Sequence, residues 1–310
     1  MSHVGIVWNP SKTEREVLEA GLPDAAGGGD TQVSWFETRA DDPGLAATRD
    51  ALQAGADLII AAGGDGTVRA VAEHLADSGA DAELGIIPLG TGNLLARNLE
   101  IPLNDVAAAF RRALEGVASD LDIGWAEATT DAGTERRAFA VMAGFGIDAH
   151  MITETDDDLK DKAGWLAYVE SLGRAVSASE VIDVRLALDG EAEQPERAHT
   201  IIVGNCGMLQ GGITLLPDAD PHDGKLDLLV LHADGLAGWL DTLRTAAWDN
   251  GIERLFGGGR AESSDSTTHG RLSSLRVALD EPRVFEVDGD ELGSVTQVEI
   301  RVQPGAVRVR

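Results

Sequence analysis

An apolar run that ends abruptly in a glycine turn constrains this chain more than any other feature. Leu58-Ile59-Ile60-Ala61-Ala62 leads straight into Gly63-Gly64-Asp65-Gly66-Thr67, and Val68, Ala70, Val71, Ala72 and Leu75 follow in a helical pattern. A short unbroken apolar run suits a strand buried on both faces of a parallel sheet. The glycines remove Cβ crowding from the turn, and the next helix presents its first N–H groups there, an arrangement suited to phosphate. Asp65 adds a carboxylate that can hold a metal ion or orient a nucleophile. The plain alternative is a tight turn with Asp65 or Thr67 as helix N-cap. Three glycines exceed what capping requires.

The same logic recurs downstream. Ile86-Ile87-Pro88 runs into Leu89-Gly90-Thr91-Gly92-Asn93 and then into Leu94-Leu95-Ala96-Arg97-Asn98. Thr91 offers a hydroxyl to a phosphate oxygen, and Asn93 is placed to cap the helix or meet a substrate. Around these turns the first part of the chain alternates strands (Val4–Trp8, Gln32–Glu37, Asp57–Ala62, Leu84–Pro88) with helices (Ser11–Ala20, Pro43–Ala54, a stretch through Asp77, Pro102–Glu115). That alternation predicts βαβ units and a largely parallel sheet, with ligands at the carboxyl ends of its strands.

The pattern changes near Asp120–Trp125. Val117–Ile123, Ala138–Ala143, Val181–Leu188, His199–Asn205, Leu226–Leu231, Leu272–Leu279, Arg283–Val287 and Val298–Val302 read as strands. Two helical stretches interrupt them, Ala163–Val176 and Leu236–Trp248. An α/β domain over residues 1–122 and a β-rich, sandwich-like domain over 123–310 are expected. Gly257 through Gly270 is polar and reads as a mobile loop, and Gly27-Gly28-Gly29 as a connection. The Leu236–Trp248 stripe, with Trp239 and Trp248, reads as core before it reads as a membrane-facing helix.

Charge narrows the partners. The chain has 310 residues, 25 basic and 53 acidic, for a net charge of −28. Such a balance opposes nucleic-acid binding and simple adhesion to anionic lipid. A phosphate site here has to be made locally positive by backbone dipoles, a few arginines or a metal ion. The single cysteine, Cys206, excludes an internal disulfide and a cysteine-based zinc site, and the seven histidines show no metal-ligand spacing. No secretion signal is evident at the start and no run approaches the ~18 apolar residues of a membrane span, which points to a cytoplasmic protein.

Taken together, Gly63–Thr67 and Pro88–Asn93 resemble the catalytic domain family of diacylglycerol kinases, which includes sphingosine kinases and bacterial lipid kinases. Further blocks match in order: Asn9-Pro10-Ser11; Ala143-Gly144-Phe145-Gly146-Ile147-Asp148; Gly204-Asn205 followed by Gly211-Gly212, Pro217 and Asp223-Gly224-Lys225-Leu226-Asp227; and Val287-Asp288-Gly289-Asp290. The resemblance implies an α/β nucleotide domain, a β-rich domain and an active site in the cleft between them. It implies ATP as phosphoryl donor, with Mg2+, and a lipid hydroxyl of diacylglycerol or a related lipid as acceptor, met at the inner membrane face. It assigns the ATP side to Asn9, Pro10, Ser11, Lys12, Thr13, Thr38, Gly63, Gly64, Asp65, Gly66, Thr67, Val68, Arg69 and Thr91. It places a structural Mg2+ at Asp220, Asp223 and the Lys225 carbonyl. A homodimer stays open.

The family's general base is a glutamate after Asp-Gly; this chain has Asp290 there, one methylene shorter, with Glu291 next. The expectation falls on Asp290, with Asp65 and Asp288 beside it as oxygen ligands or orienting groups. Without the other blocks, Asp288-Gly289 would read only as a turn between strands. Two other readings stand beside the lipid kinase. An NAD kinase shares the Gly-Gly-Asp-Gly turn, though the second turn and the Asp223–Leu226 and Asp288–Asp290 blocks fit lipid kinases better. A nucleotide-binding regulator with a decayed kinase site has only the Asp290 substitution in its favour.

Overall fold

The computed structural model describes residues 2–22, 31–146, 181–209, 214–232 and 267–310. Its contacts separate into two compact units. The first comprises Met1–Ile123, Pro221–Gly224 and Gln303–Arg310, and the second Gly124–Asp220 and Lys225–Val302. Two late segments thus complete the first unit, which a linear reading of the chain does not anticipate.

In the first unit, strands β1 (Ser2–Trp8), β2 (Thr31–Glu37), β3 (Leu58–Gly63) and β4 (Glu83–Pro88) alternate with helices α1 (Arg15–Gly21), α2 (Leu45–Gln53), α3 (Asp65–Ser78), α4 (Leu94–Asn98) and α5 (Val106–Glu115). The strands lie in the order β2-β1-β3-β4, and Arg308–Val309 add to β4. Each of these pairings is parallel. Helices cover both faces, so every residue of β3 is buried, which accounts for its unbroken apolar sequence. Helix α3 buries Val68, Val71, Ala72 and Leu75, and α5 buries Ala109, Phe110 and Ala113. The chain leaves β1 toward β2 on one side and leaves β3 toward β4 on the other. That reversal opens a crevice at the carboxyl ends of β1 and β3, where open α/β sheets take their ligands.

Local chemistry sets the helix starts, and they fall later than the apolar periodicity alone suggests. The Asn9 side chain takes the Ser11 N–H at 3.0 Å and the Asn9 carbonyl takes the Lys12 N–H, so a turn occupies residues 9–12 and α1 begins only at Arg15. Asp42 accepts N–H groups from Gly44, Leu45 and Ala46 at 3.0, 2.7 and 2.9 Å ahead of α2. Asp105 caps α5 through the Ala108 N–H, which moves its start from the expected Pro102 to Val106.

The second unit contains the later part of β5 (Ser119–Thr130), β6 (Gly133–Phe139), β7 (Met142–Phe145), β8 (Ile182–Leu188), β9 (Gln194–Gly204), β10 (Leu226–His232), β11 (Thr267–Leu272), β12 (Ser274–Val287) and most of β13 (Asp290–Val309). The pairings along β11-β10-β9-β7-β12-β13 are antiparallel, with β8 beside β9 and β12, and β5 joins the sheet beside β13 and forms an antiparallel hairpin with β6. One core joins Phe139, Phe145, Ile201, Val203, Leu228, Val277, Phe285 and Val298. The Phe145 and Phe285 rings meet at 4.8 Å.

Two expectations change. The expected loop ending at Gly270 contains the start of a strand: Thr267–Leu272 pairs with β10, its run Thr-Thr-His-Gly-Arg hiding it because only Thr267 and Leu272 are buried. The expected strand Leu272–Leu279 divides: Leu272 ends β11, and Ser274–Leu279 continues through Arg283–Val287 as one strand, β12, whose register shifts between Ala278 and Arg283. The expected helices at 163–176 and 236–248, the Gly27–Gly29 connection, Ile147-Asp148, Gly211-Gly212 and residues 257–266 lie outside the described residues.

Candidate active site

Three loops of the first unit converge at the crevice. The Asn9–Thr13 turn follows β1, the Gly63–Thr67 turn follows β3, and the Gly90–Asn93 turn follows β4. The two glycine turns touch through backbone. A Cβ on Gly90 would stand 2.7 Å from the Gly64 Cα, and one on Gly64 would meet Gly90 Cα at 3.4 Å and the Lys12 Cε at 3.7 Å. A Cβ on Gly63 would collide with Thr67 at 2.6 Å. Close approach therefore explains these glycines, since none of Gly63, Gly64 and Gly90 has positive φ.

Asp65 joins the two turns. Its carboxylate accepts the Asn93 N–H at 2.8 Å and the Leu94 N–H at 2.6 Å. Asn93 sits at φ +47, and its side chain closes the second turn by accepting from the Gly90 N–H at 2.8 Å and donating to the Gly90 carbonyl at 2.7 Å. The proposed capping role of Asn93 is thus taken by Asp65, from another loop. Helix α3 has no side-chain cap, so its N-terminal amides stay directed at the turn.

The second unit presents a different aspartate. Asp288 and Gly289 occupy left-handed backbone at φ +48 and +85, making the hairpin turn from β12 to β13. The Asp288 carboxylate accepts N–H groups from Ala140, Val141 and Met142 at 2.8, 3.0 and 2.9 Å. Asn205 holds the same junction from its carbonyl side, donating to Ala140 O at 3.1 Å. Asp290 lies beyond the turn, exposed and paired in register with Val287. Glu291 pairs with Glu286, so the two acids fall on opposite faces of the hairpin.

A family model for the diacylglycerol kinase catalytic domain matches residues 6–126, and one for the YegS C-terminal NAD kinase beta sandwich-like domain matches 141–310. The chain belongs to this lipid kinase family. It is 33% identical over 262 residues to "Probable lipid kinase YegS-like" of Pseudomonas aeruginosa, covering 84% of this chain and 78% of that protein. It is 31% identical over 236 residues to a diacylglycerol kinase of Staphylococcus aureus, covering 75% and 71%. A diacylglycerol kinase crystal structure from Bacillus anthracis superposes with TM-score 0.69 at 22% identity, over 99% of this chain and 96% of that one, and shares the fold.

Within this lipid kinase family member, the expected nucleotide residues divide by exposure. Pro10, Ser11, Lys12 and Thr91 are exposed, and Asn9, Thr13, Asp65 and Gly66 partly so. Thr38, Thr67, Val68 and Arg69 are buried, at 4%, 2%, 6% and 8% exposure. Arg69 Nη1 lies 3.3 Å from the Glu73 carboxylate, one helical turn further along. Its guanidinium is thus engaged inside the fold, and the cation the sequence placed beside the phosphates faces a carboxylate.

Asp220 and Asp223 are exposed on the turn before β10, and Lys225 donates from Nζ to Ser273 Oγ at 2.7 Å. Among the described residues no group of three or more His, Cys, Asp or Glu side chains is placed to hold a metal. The Asp220–Lys225 turn offers two carboxylates and carbonyls, hard oxygen donors that suit Mg2+ retaining several waters. Asp122, 2% exposed, accepts N–H groups from Gly224 at 2.6 Å and Gly305 at 2.7 Å. One carboxylate thereby ties the two late segments to the body of the first unit. Burial, with the charges of Asp288 and Asp220, pushes the Cys206 thiol pKa well up, so this cysteine is an inert packing residue. Among the described residues no helix is long and apolar enough to cross a membrane.

Proposed function

We propose that this protein is an ATP-dependent kinase that phosphorylates a hydroxyl of diacylglycerol or a related lipid. The observation that carries the reading is the Gly64–Gly90 contact with Asp65 tying both turns, at the carboxyl ends of β3 and β4. Phosphoryl transfer asks mainly for positioning and charge stabilisation, which rigid amide-lined turns supply. In this reading the Asn9–Thr13 and Gly63–Thr67 turns and Thr91 take the nucleotide. Buried Thr67, Val68 and Arg69 contribute through backbone or through the shape of the turn.

Asp290 is the proposed general base. Its carboxylate removes the proton of the lipid hydroxyl as that oxygen attacks the γ-phosphorus and ADP leaves. Asp288 holds the hairpin that carries it. Mg2+ bound to the ATP phosphates would neutralise charge there. A second Mg2+ is proposed on the turn of Asp220, Asp223 and the Lys225 carbonyl, where it would fix the turn's shape.

A panel of lipid hydroxyls incubated with γ-labelled ATP tests the reading, with NAD as control acceptor. A labelled lipid is expected. Labelled NAD would favour an NAD kinase, and ATP binding with no labelled acceptor would favour a decayed regulator.

A further inference from the structure

The second glycine turn poses an electrostatic problem. Its own hydrogen bonds use the Gly90 amide, and Asp65 takes the Asn93 and Leu94 amides. Asp65 also brings a full negative charge to the start of α4, a helix of only 5 residues with little dipole to offset it. The chain as a whole carries −28. A phosphate beside Thr91 therefore needs cations; Lys12 reaches the Gly64 side of the contact, whereas Arg69 faces Glu73 instead.

Arg97 answers this need. It lies in the last turn of α4, and its side chain folds back toward the helix start, the direction helical side chains favour. Its Nε donates to the Gly92 carbonyl at 2.7 Å. Among the described residues no other hydrogen bond or ion pair engages it, and it is only partly buried. A guanidinium is thus anchored by one N–H on the second glycine turn, with its two terminal amino groups available. That fork suits two phosphate oxygens, in a way a lysine ammonium does not reproduce.

We propose that Arg97 is a phosphate-contact residue of the ATP site, binding the terminal part of the triphosphate and offsetting the charge of Asp65. The inference rests on the reading that ATP occupies the glycine turns. Recognition then depends on the number of phosphates: Arg97 contributes to ATP, less to ADP and nothing to adenosine.

Calorimetric titration of the full chain with ATP, ADP, AMP and adenosine tests this. For Arg97→Ala we expect ATP affinity to fall about tenfold to a hundredfold, the scale of one charge-assisted contact, with adenosine unchanged. Arg97→Lys should recover part of the loss, because the charge returns without the fork. The ATP loss should shrink as salt rises. If Arg97 only braced the Gly92 turn, Arg97→Ala would weaken all four ligands together. That result, or unchanged ATP affinity, overturns the inference. Gly90→Val separates the two failures. If it leaves ATP binding intact, the glycine turns are not the nucleotide site and the inference falls with that reading. If it abolishes binding while Arg97→Ala does nothing, only the Arg97 assignment fails.

Discussion

Two aspartates that each follow or precede a glycine do opposite work here. Asp65 does not cap its own turn, where the Thr67 N–H meets the Gly64 carbonyl at 3.0 Å, and uses its carboxylate to hold a neighbouring turn. Asp288 sits inside a hairpin turn and uses its carboxylate to hold three successive amides of another segment, Ala140 to Met142. The first arrangement builds a surface with donors to offer. The second builds a brace whose carboxylate is taken up by three amides, and the general base proposed above is its exposed neighbour Asp290. In sequence both read simply as an acidic residue in a glycine turn; the difference lies in where the carboxylate's partners come from.

Substitutions can break this contrast, and the largest effect should come from the turn contact. Gly90→Val would drive a branched side chain into the Gly64 backbone, since even a Cβ stands at 2.7 Å from Gly64 Cα. The two turns must separate, and ATP binding should become undetectable by calorimetry. Asp290→Asn comes next. It should lower turnover about 10²- to 10⁴-fold, the usual worth of a general base, with ATP affinity and Tm unchanged. Normal turnover in that variant would move the base elsewhere, with Glu291→Gln as the next test.

Asp65→Asn should lower turnover by about 10²-fold or more, the scale seen when a preorganised polar group at a reacting site is lost. An asparagine has a single acceptor oxygen for the two amides that now converge on the carboxylate, so the second turn should also loosen, visible as faster hydrogen exchange at Asn93 and Leu94. Near-normal activity would refute its assignment. Asp288→Ala inverts the outcome. It leaves the three amides of Ala140, Val141 and Met142 without their acceptor, at a cost of about 2–4 kcal/mol in stability. Its activity loss should track its unfolding, and low temperature should restore much of it. If Asp288→Ala were fully stable yet inactive, the brace reading would be wrong.

Much of this was legible because local rules and the fold agreed. The buried run Leu58–Gly63 could be a doubly covered strand and little else, and the two strand–glycine–helix transitions put both glycine turns at the carboxyl ends of strands, where β3 and β4 carry them. What escaped detection were partnerships across sequence. Nothing near Asp122 announces Gly224 and Gly305, which lie 102 and 183 residues away. Strand β11 was hidden because its partner β10, not its own polar sequence, makes it a strand. Arg69 and Arg97 illustrate the same limit at the site. Both follow a glycine turn within a helix, yet one faces Glu73 in the interior and the other returns to Gly92. A signal existed for Arg97: a long side chain one turn into a helix reaches back over the helix start.

The smallest predicted effect concerns a third aspartate that engages amides, at a helix with no catalytic duty. Asp42 accepts from Gly44, Leu45 and Ala46 ahead of α2. Partial burial alone would raise its pKa, but the N–H groups of Gly44, Ala46 and Leu45 and the charge of Arg39 outweigh it, and the net shift is downward. A carboxylate depressed in the folded state stabilises the fold above its unfolded value, near pH ~4, and loses that contribution as pH falls through the lowered folded value. Asp42→Ala should therefore cost about 1 kcal/mol at neutral pH, the usual worth of an N-cap, with ATP affinity unaffected. Denaturant melts of wild type and variant should converge as pH falls through the lowered folded pKa of Asp42, once it is protonated in both states. A gap that persists there would mean that the side chain contributes by packing, and that of the three aspartates only Asp65 and Asp288 act through their charge.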